Sequence, residues 1–166
     1  LDKSIEVQDF GRGIPVDYNK KEDCYNWELV FCDLYAGGKY NTNDGGSYEF
    51  SLGLNGLGLC ATQYASEYME AEIHTGGYCD ELSFKKGEID DEMKKTPYEK
   101  KDTGSRIKWR PDMKVFTDIN IPLEYFQETI KKQAVVNSGI SFTVTTITAP
   151  RSNCFISVTR FASRQS

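Results

Sequence analysis

Three glycine clusters carry the residues best suited to chemistry: Asp9-Phe10-Gly11-Arg12-Gly13, Ala36-Gly37-Gly38-Lys39 and Gly53-Leu54-Asn55-Gly56-Leu57-Gly58. Glycine at a junction between a strand and a helix lets backbone N–H groups come close to a phosphate. The third cluster precedes a helical pattern, whose N-terminus favours an anion. Lys39 can add a point charge to the same phosphates. The common phosphate motifs do not fit. Gly38-Lys39 is followed by Tyr40 where a Walker A loop needs Ser or Thr, and GLNGLG has the reverse of the Rossmann glycine spacing. Taken singly, GLNGLG reads equally as a tight turn with close helix packing, and Asp9 as a turn former.

The elements that must position these residues follow from periodicity. Residues 4–8 alternate, with Ile5 and Val7 on one side, and predict a strand that the run DFGRGIP then breaks. Residues 24–36 predict a helix through Trp27, Val30, Phe31 and Leu34, stopped by Gly37-Gly38. Residues 40–52 are polar and glycine-bearing, which predicts a loop. A second helix is expected over 56–69. Strands at Glu70–His74 and Cys79–Phe84 flank Thr75-Gly76-Gly77 as a hairpin. The charged stretch 85–103 predicts a solvated loop. Ile107 and Trp109 mark a further strand. Residues 121–136 form an amphipathic helix with Leu123, Phe126, Ile130 and Ala134 on one stripe, and Pro122 suits its first turn. The β-branched run 140–148 predicts a last strand. Strands and helices mix without regular alternation, so the class is α+β.

Composition narrows the function. The chain has 166 residues, with 20 Lys and Arg against 25 Asp and Glu, a net charge of −5. An acidic domain is a poor clamp for nucleic acid on its own. Residues 149–166 hold Arg151, Arg160 and Arg164 and no acid, so the negative charge is concentrated in 1–148. Five cysteines without a C-x-x-C form neither a disulfide framework nor a zinc motif, and reduced thiols in a cytoplasm are expected. No run of about 18 apolar residues suggests a membrane span. His74, the only histidine, is expected to be structural or solvent-facing; Glu88, Asp90, Asp91 and Glu92 lack EF-hand spacing and are expected to be solvated.

Taken in order, SIEVQDFGRGIPV, YAGGKY and YEFSLGLNGLGLCATQYAS resemble the ATP-binding domain of bacterial type IIA topoisomerase B subunits, those of DNA gyrase or topoisomerase IV, within the GHKL (Bergerat-fold) ATPases. Residues 102–112, DTGSRIKWRPD, resemble the strand that follows in that family, and the likeness covers about residues 4–146. The resemblance implies a two-layer α/β sandwich with a mixed sheet, here lacking the first helix. It implies an ATP-binding domain over 1–148, followed by a divergent tail at 149–166, expected to be a disordered end.

The resemblance also assigns roles. Asp9 matches the carboxylate that accepts a hydrogen bond from the adenine amino group and so rejects guanine. Gly11 and Gly13 match the glycines that admit the base. Arg12, Ile14 and Pro15 match the pocket rim, where aminocoumarin-type inhibitors also lie. Ser105 stands in place of a threonine that supports the adenine site. Lys39 and Tyr48 match lid residues near the phosphates, and Leu54, Asn55, Gly56, Leu57 and Gly58 match the loop that holds them. Departures accompany the likeness. Leu52 replaces a glycine at the start of that loop, and Asn55 replaces its histidine. Glu81 takes the place of an arginine at the inhibitor rim, which argues against strong coumarin binding.

The family's glutamate base and its Mg²⁺-binding asparagine lie on a helix ahead of the first glycine motif, and these residues contain no such helix. Negligible ATP hydrolysis by this chain alone is therefore expected, and no catalytic or metal-binding residue is assigned. In the intact parent the resemblance implies ATP and Mg²⁺, a dimer, DNA and an A-type partner subunit as associates, with ATP coupled to DNA strand passage. The chain alone is expected to be a monomer. The alternative is a GHKL-type nucleotide-binding switch without turnover.

Overall fold

The computed structural model describes residues 3–36, 56–147 and 153–160. Its frame is a seven-stranded mixed sheet in the order β6-β5-β4-β7-β1-β9-β8. The strands are β1 (Ile5–Asp9), β4 (Ser66–Thr75), β5 (Tyr78–Lys85), β6 (Glu88–Pro97), β7 (Gly104–Pro111), β8 (Ile140–Ile147) and β9 (Asn153–Arg160). A small ribbon of β2 (Tyr18–Asn19) and β3 (Cys24–Tyr25) leads into helix α1 (Asn26–Phe31). Helices α2 (Gly58–Tyr64) and α3 (Leu123–Val136) complete the described elements.

Alternation decides which face is covered. Met69, Ala71 and Ile73 on β4, Leu82 and Phe84 on β5 and Ile107 on β7 are buried on one side, with Val30 and Phe31 of α1 packed over them. The Phe31 and Phe84 rings stack at 5.3 Å between centroids. The register sets Ala71 beside both Leu82 and Ile107, so the apolar stripe runs straight across three strands. The opposite face carries Glu6, Glu70, Glu72, His74, Glu81, Arg106 and Lys108. It is held by charge rather than by packing: Arg106 pairs with Glu6 at 2.7 Å and Glu72 at 3.2 Å, and Lys108 lies 3.5 Å from Glu70. Hydrogen bonding to Glu6, more than the opposing effect of burial, raises the Arg106 guanidinium above its ordinary value.

The architecture agrees with the expected α+β class and mixed sheet, and four local expectations are corrected. The helix expected over 56–69 ends at Tyr64, because Ser66–Thr75 already alternate as β4; a register shift between Ser66 and Tyr68 marks the change. The helix expected over 24–36 is the six-residue α1. The stretch expected as a solvated loop contains β6, an edge strand exposed at every position but Met93. Its charges suit an edge that must not pair with another chain. The tail expected to be a disordered end supplies β9, which runs parallel to β1 and antiparallel to β8, setting Asp9 beside Val158 and Val144 beside Ile156. The polar loop expected over 40–52 lies outside the described residues.

Candidate functional site

The site begins where β1 stops. Asp9 is the last residue of that strand and is half-buried. Ile5, Val7 and Asp9 alternate to the covered face, so the carboxylate stands on the helix side of the sheet. Its Oδ1 accepts a 2.8 Å hydrogen bond from the Gly11 N–H. That bond turns the chain sharply back over the sheet and fixes the carboxylate's direction.

Three glycines allow the turn. A Cβ on Gly11 would lie 3.0 Å from Asp9 Oδ1. Gly13 has φ +84°, and a Cβ there would meet the His74 carbonyl oxygen at 2.9 Å. Gly104, with φ +147°, lets the start of β7 pass against the Asp9 backbone. The turn is then tied to β7 twice. Thr103 Oγ1 donates to the Gly11 carbonyl at 2.6 Å, and the Ile14 N–H donates to the buried Ser105 hydroxyl at 3.0 Å. Ile14 packs against the core, and Val16 is buried in it. The result is a tied corner: a directed carboxylate on a glycine turn, with Ile14 packed against the core beneath it.

Of the residues singled out in the sequence, Asp9, Gly11, Gly13, Ile14 and Ser105 are brought together here. Arg12 is exposed and Pro15 half-buried along the same turn. Gly56 and Leu57 lie immediately before α2, and Gly58 is its first residue. Lys39, Tyr48, Leu54 and Asn55, with the displaced loop glycine at Leu52, lie outside the described residues. A crevice of about 10 Å³ at this end of the sheet is lined by Asp9, Phe10 and Thr103–Ser105 together with Glu72, His74 and Arg106 of the charged face.

Sequence reasoning passed over three residues. Thr103, through its hydroxyl on the Gly11 carbonyl, and Gly104, through its lack of a side chain, act in ways that only the β1–β7 pairing reveals. Asp80 is fully buried on the covered face of β5, next to Ile73 across the β4–β5 pairing. Glu81, expected at the pocket rim, points to the opposite face, where it pairs across the strands with Glu72.

Comparison with known proteins gives a consistent picture. No family model matches the chain. The DNA gyrase B subunit of Treponema denticola is 37% identical over 141 residues, covering 84% of this chain and 22% of that protein. The DNA topoisomerase 4 B subunit of Escherichia coli is 32% identical over 143 residues, covering 86% of this chain and 22% of that protein. The type 2 topoisomerase B subunit of Aquifex aeolicus is 31% identical over 144 residues, covering 87% of this chain and 18% of that protein. The chain thus spans about a fifth of the length of the curated relatives it matches. Among solved structures, the topoisomerase IV ATP-binding domain of Francisella tularensis, in complex with a small-molecule inhibitor, superposes with a TM-score of 0.64 at 27% identity, covering 82% of this chain and 61% of that one. The chain is therefore a homologue of the B subunits of DNA gyrase and topoisomerase IV, and it has the fold of a topoisomerase IV ATP-binding domain.

Proposed function

We propose that the Asp9 corner binds the adenine of ATP, and that the chain is part of an ATP-operated type IIA topoisomerase B subunit. The observation that carries the reading is the Asp9 carboxylate, half-buried and aimed by the Gly11 N–H. An ionised carboxylate only accepts hydrogen bonds. The 6-position of adenine is a donor and that of guanine an acceptor, so this corner selects adenine. Ser105 and Thr103 hold the turn that brings Gly11 and Gly13 to the edge of the base. Gly56, Leu57 and Gly58, with Lys39, Tyr48, Leu54 and Asn55, are proposed to receive the phosphates.

The residues beside Asp9 do not form a protein-built Mg²⁺ site. Among the described residues, the one group of three metal-ligating side chains lies on the other face of the sheet. In the whole protein, ATP binding would drive dimer closure, and with an A-type subunit it would serve DNA strand passage.

The test is calorimetric titration of the chain with a non-hydrolysable ATP analogue, compared with its GTP counterpart and with Asp9→Asn. A hydrogen bond to a charged acceptor contributes about 1.5–3 kcal/mol, so Asp9→Asn should weaken binding by about 10–100-fold. Equal binding of the two nucleotides, or an unchanged Asp9→Asn, overturns the reading.

A further inference from the structure

On the charged face of the sheet three potential metal ligands converge, and two of them, Glu72 and His74, also border the crevice beside Asp9. His74 and Cys79 face each other directly across the β4–β5 hairpin, and Glu72 lies two residues before His74 on the same side of β4. One ligand atom from each, the Glu72 carboxylate oxygen, a His74 ring nitrogen and the Cys79 sulfur, all lie within 4.8 Å of one another. We propose that Glu72, His74 and Cys79 form a binding site for a borderline-soft divalent cation of the Zn²⁺ type, with water in the fourth position.

The chemistry of the set supports this. Thiolate, imidazole and carboxylate together suit Zn²⁺ and Co²⁺ and are a poor match for Mg²⁺ or Ca²⁺. Bond lengths of about 2.0–2.3 Å in a tetrahedron place ligand atoms roughly 3–4 Å apart. His74 Nε2 lies 2.9 Å from Glu72 Oε1, so a small opening of that pair seats the ion. That nitrogen is buried and makes no well-directed hydrogen bond, so a cation can take it as a ligand once the imidazole is neutral there.

The surroundings support the set as well. Arg106 Nη1 holds the second Glu72 oxygen at 3.2 Å and so fixes the carboxylate. The Tyr98 ring stacks on the imidazole at 3.9 Å, and the Tyr98 backbone N–H donates to the Gly77 carbonyl at 2.8 Å, closing one side. Cys79 is buried, whereas the His74 and Glu72 side chains keep 16% and 33% exposure, which leaves a path for water and the ion. The site would fasten the β4–β5 hairpin, whose His74 carbonyl packs against Gly13 on the nucleotide side.

The test is titration of the full chain, reduced and metal-free, with Co²⁺ alone, followed by displacement with Zn²⁺. One Co²⁺ per chain is expected, with a thiolate-to-metal charge-transfer band and the visible bands of a tetrahedral ion. Cys79→Ser should abolish the charge-transfer band. His74→Gln should weaken binding by at least about tenfold, in line with the loss of one of three ligands. Cys24→Ser should change neither. Circular dichroism of each metal-free variant reports folding, and the two ligand variants are read independently, so loss of fold in one leaves the other decisive. Absence of the band in the unsubstituted chain, or its survival in folded Cys79→Ser or undiminished in folded His74→Gln, overturns the proposal.

Discussion

A Cβ placed on Gly104 would sit 2.1 Å from the carbonyl oxygen of Asp9, so the first residue of β7 and the last of β1 can approach only because one of them has no side chain. The obstacle is backbone on both sides, and no rotamer relieves it. Gly104→Ala must push β1 away from β7 or break the Thr103–Gly11 hydrogen bond. The expected cost is about 3 kcal/mol, at the upper end for overpacking, with added strain from φ +147°. Thermal or urea unfolding measures it. An unchanged unfolding midpoint would show that the two strands can slide apart freely.

Asp80 poses a different problem, that of a charge without water. Its side chain is completely buried, neither oxygen receives a hydrogen bond among the described residues, and Lys95 Nζ lies 3.6 Å away. Breaking a fully buried pair costs about 3–5 kcal/mol. Lys95 keeps about half its surface in water, so Lys95→Met should cost less, roughly 2 kcal/mol. Adding Asp80→Leu should recover much of that loss, because the stranded carboxylate is then gone. Unfolding free energies of the two single variants and the double variant form the cycle; simple additivity would show that the two groups do not interact.

Alkaline pH should loosen the layer between α1 and α2. Burial, with smaller effects from Cys60 and Glu28, pushes the Cys32 thiol up from 9.0 to about 11, and burial raises Cys60 in the same direction. In the unfolded chain these thiols ionise near the ordinary value, while the folded chain still holds their protons. The unfolded state therefore binds fewer protons above 9.0, and stability falls as pH rises toward 11. Below 9.0 the contribution is fully present. Urea midpoints measured across this window should decline, and Cys32→Ala should flatten the decline. An identical slope in that variant would assign it to other groups.

The parts of the fold legible in sequence were those with one face wet and one dry. β1 and the second half of β4 alternate because Val7, Ala71 and Ile73 must be covered while Glu6 and Glu72 need not be. β6 escaped notice because an edge strand exposed on both sides has no apolar period to detect. The start of β4 escaped because Tyr64, Ala65 and Tyr68 fit a helical spacing as well as the alternation that continues through Met69. In the site, Asp9, Gly11, Gly13 and Ser105 were visible as motif residues. Thr103 and Gly104 fall within the 102–112 motif but had no legible role, since that role exists only once β7 lies beside β1. Asp80 was invisible for a related reason: an aspartate between Cys79 and Glu81 looks like surface until Lys95 arrives from the neighbouring strand.

The parallel pairing of β1 with β9 also has a kinetic side. Ile5 is matched with Cys154, so the strand that ends in Asp9 gains its second neighbour only after the chain is available as far as β9. Pairings this distant in sequence close late, because a long loop must be ordered before the contact forms. During synthesis β1 would stand with an open flank while β4, β5 and β6 zip together locally. Pulse-labelling hydrogen exchange should therefore protect the amides of β4 and β5 first and those of Glu6–Gln8 last. The Asp9 corner would be assembled at the end of folding, after the wall behind it.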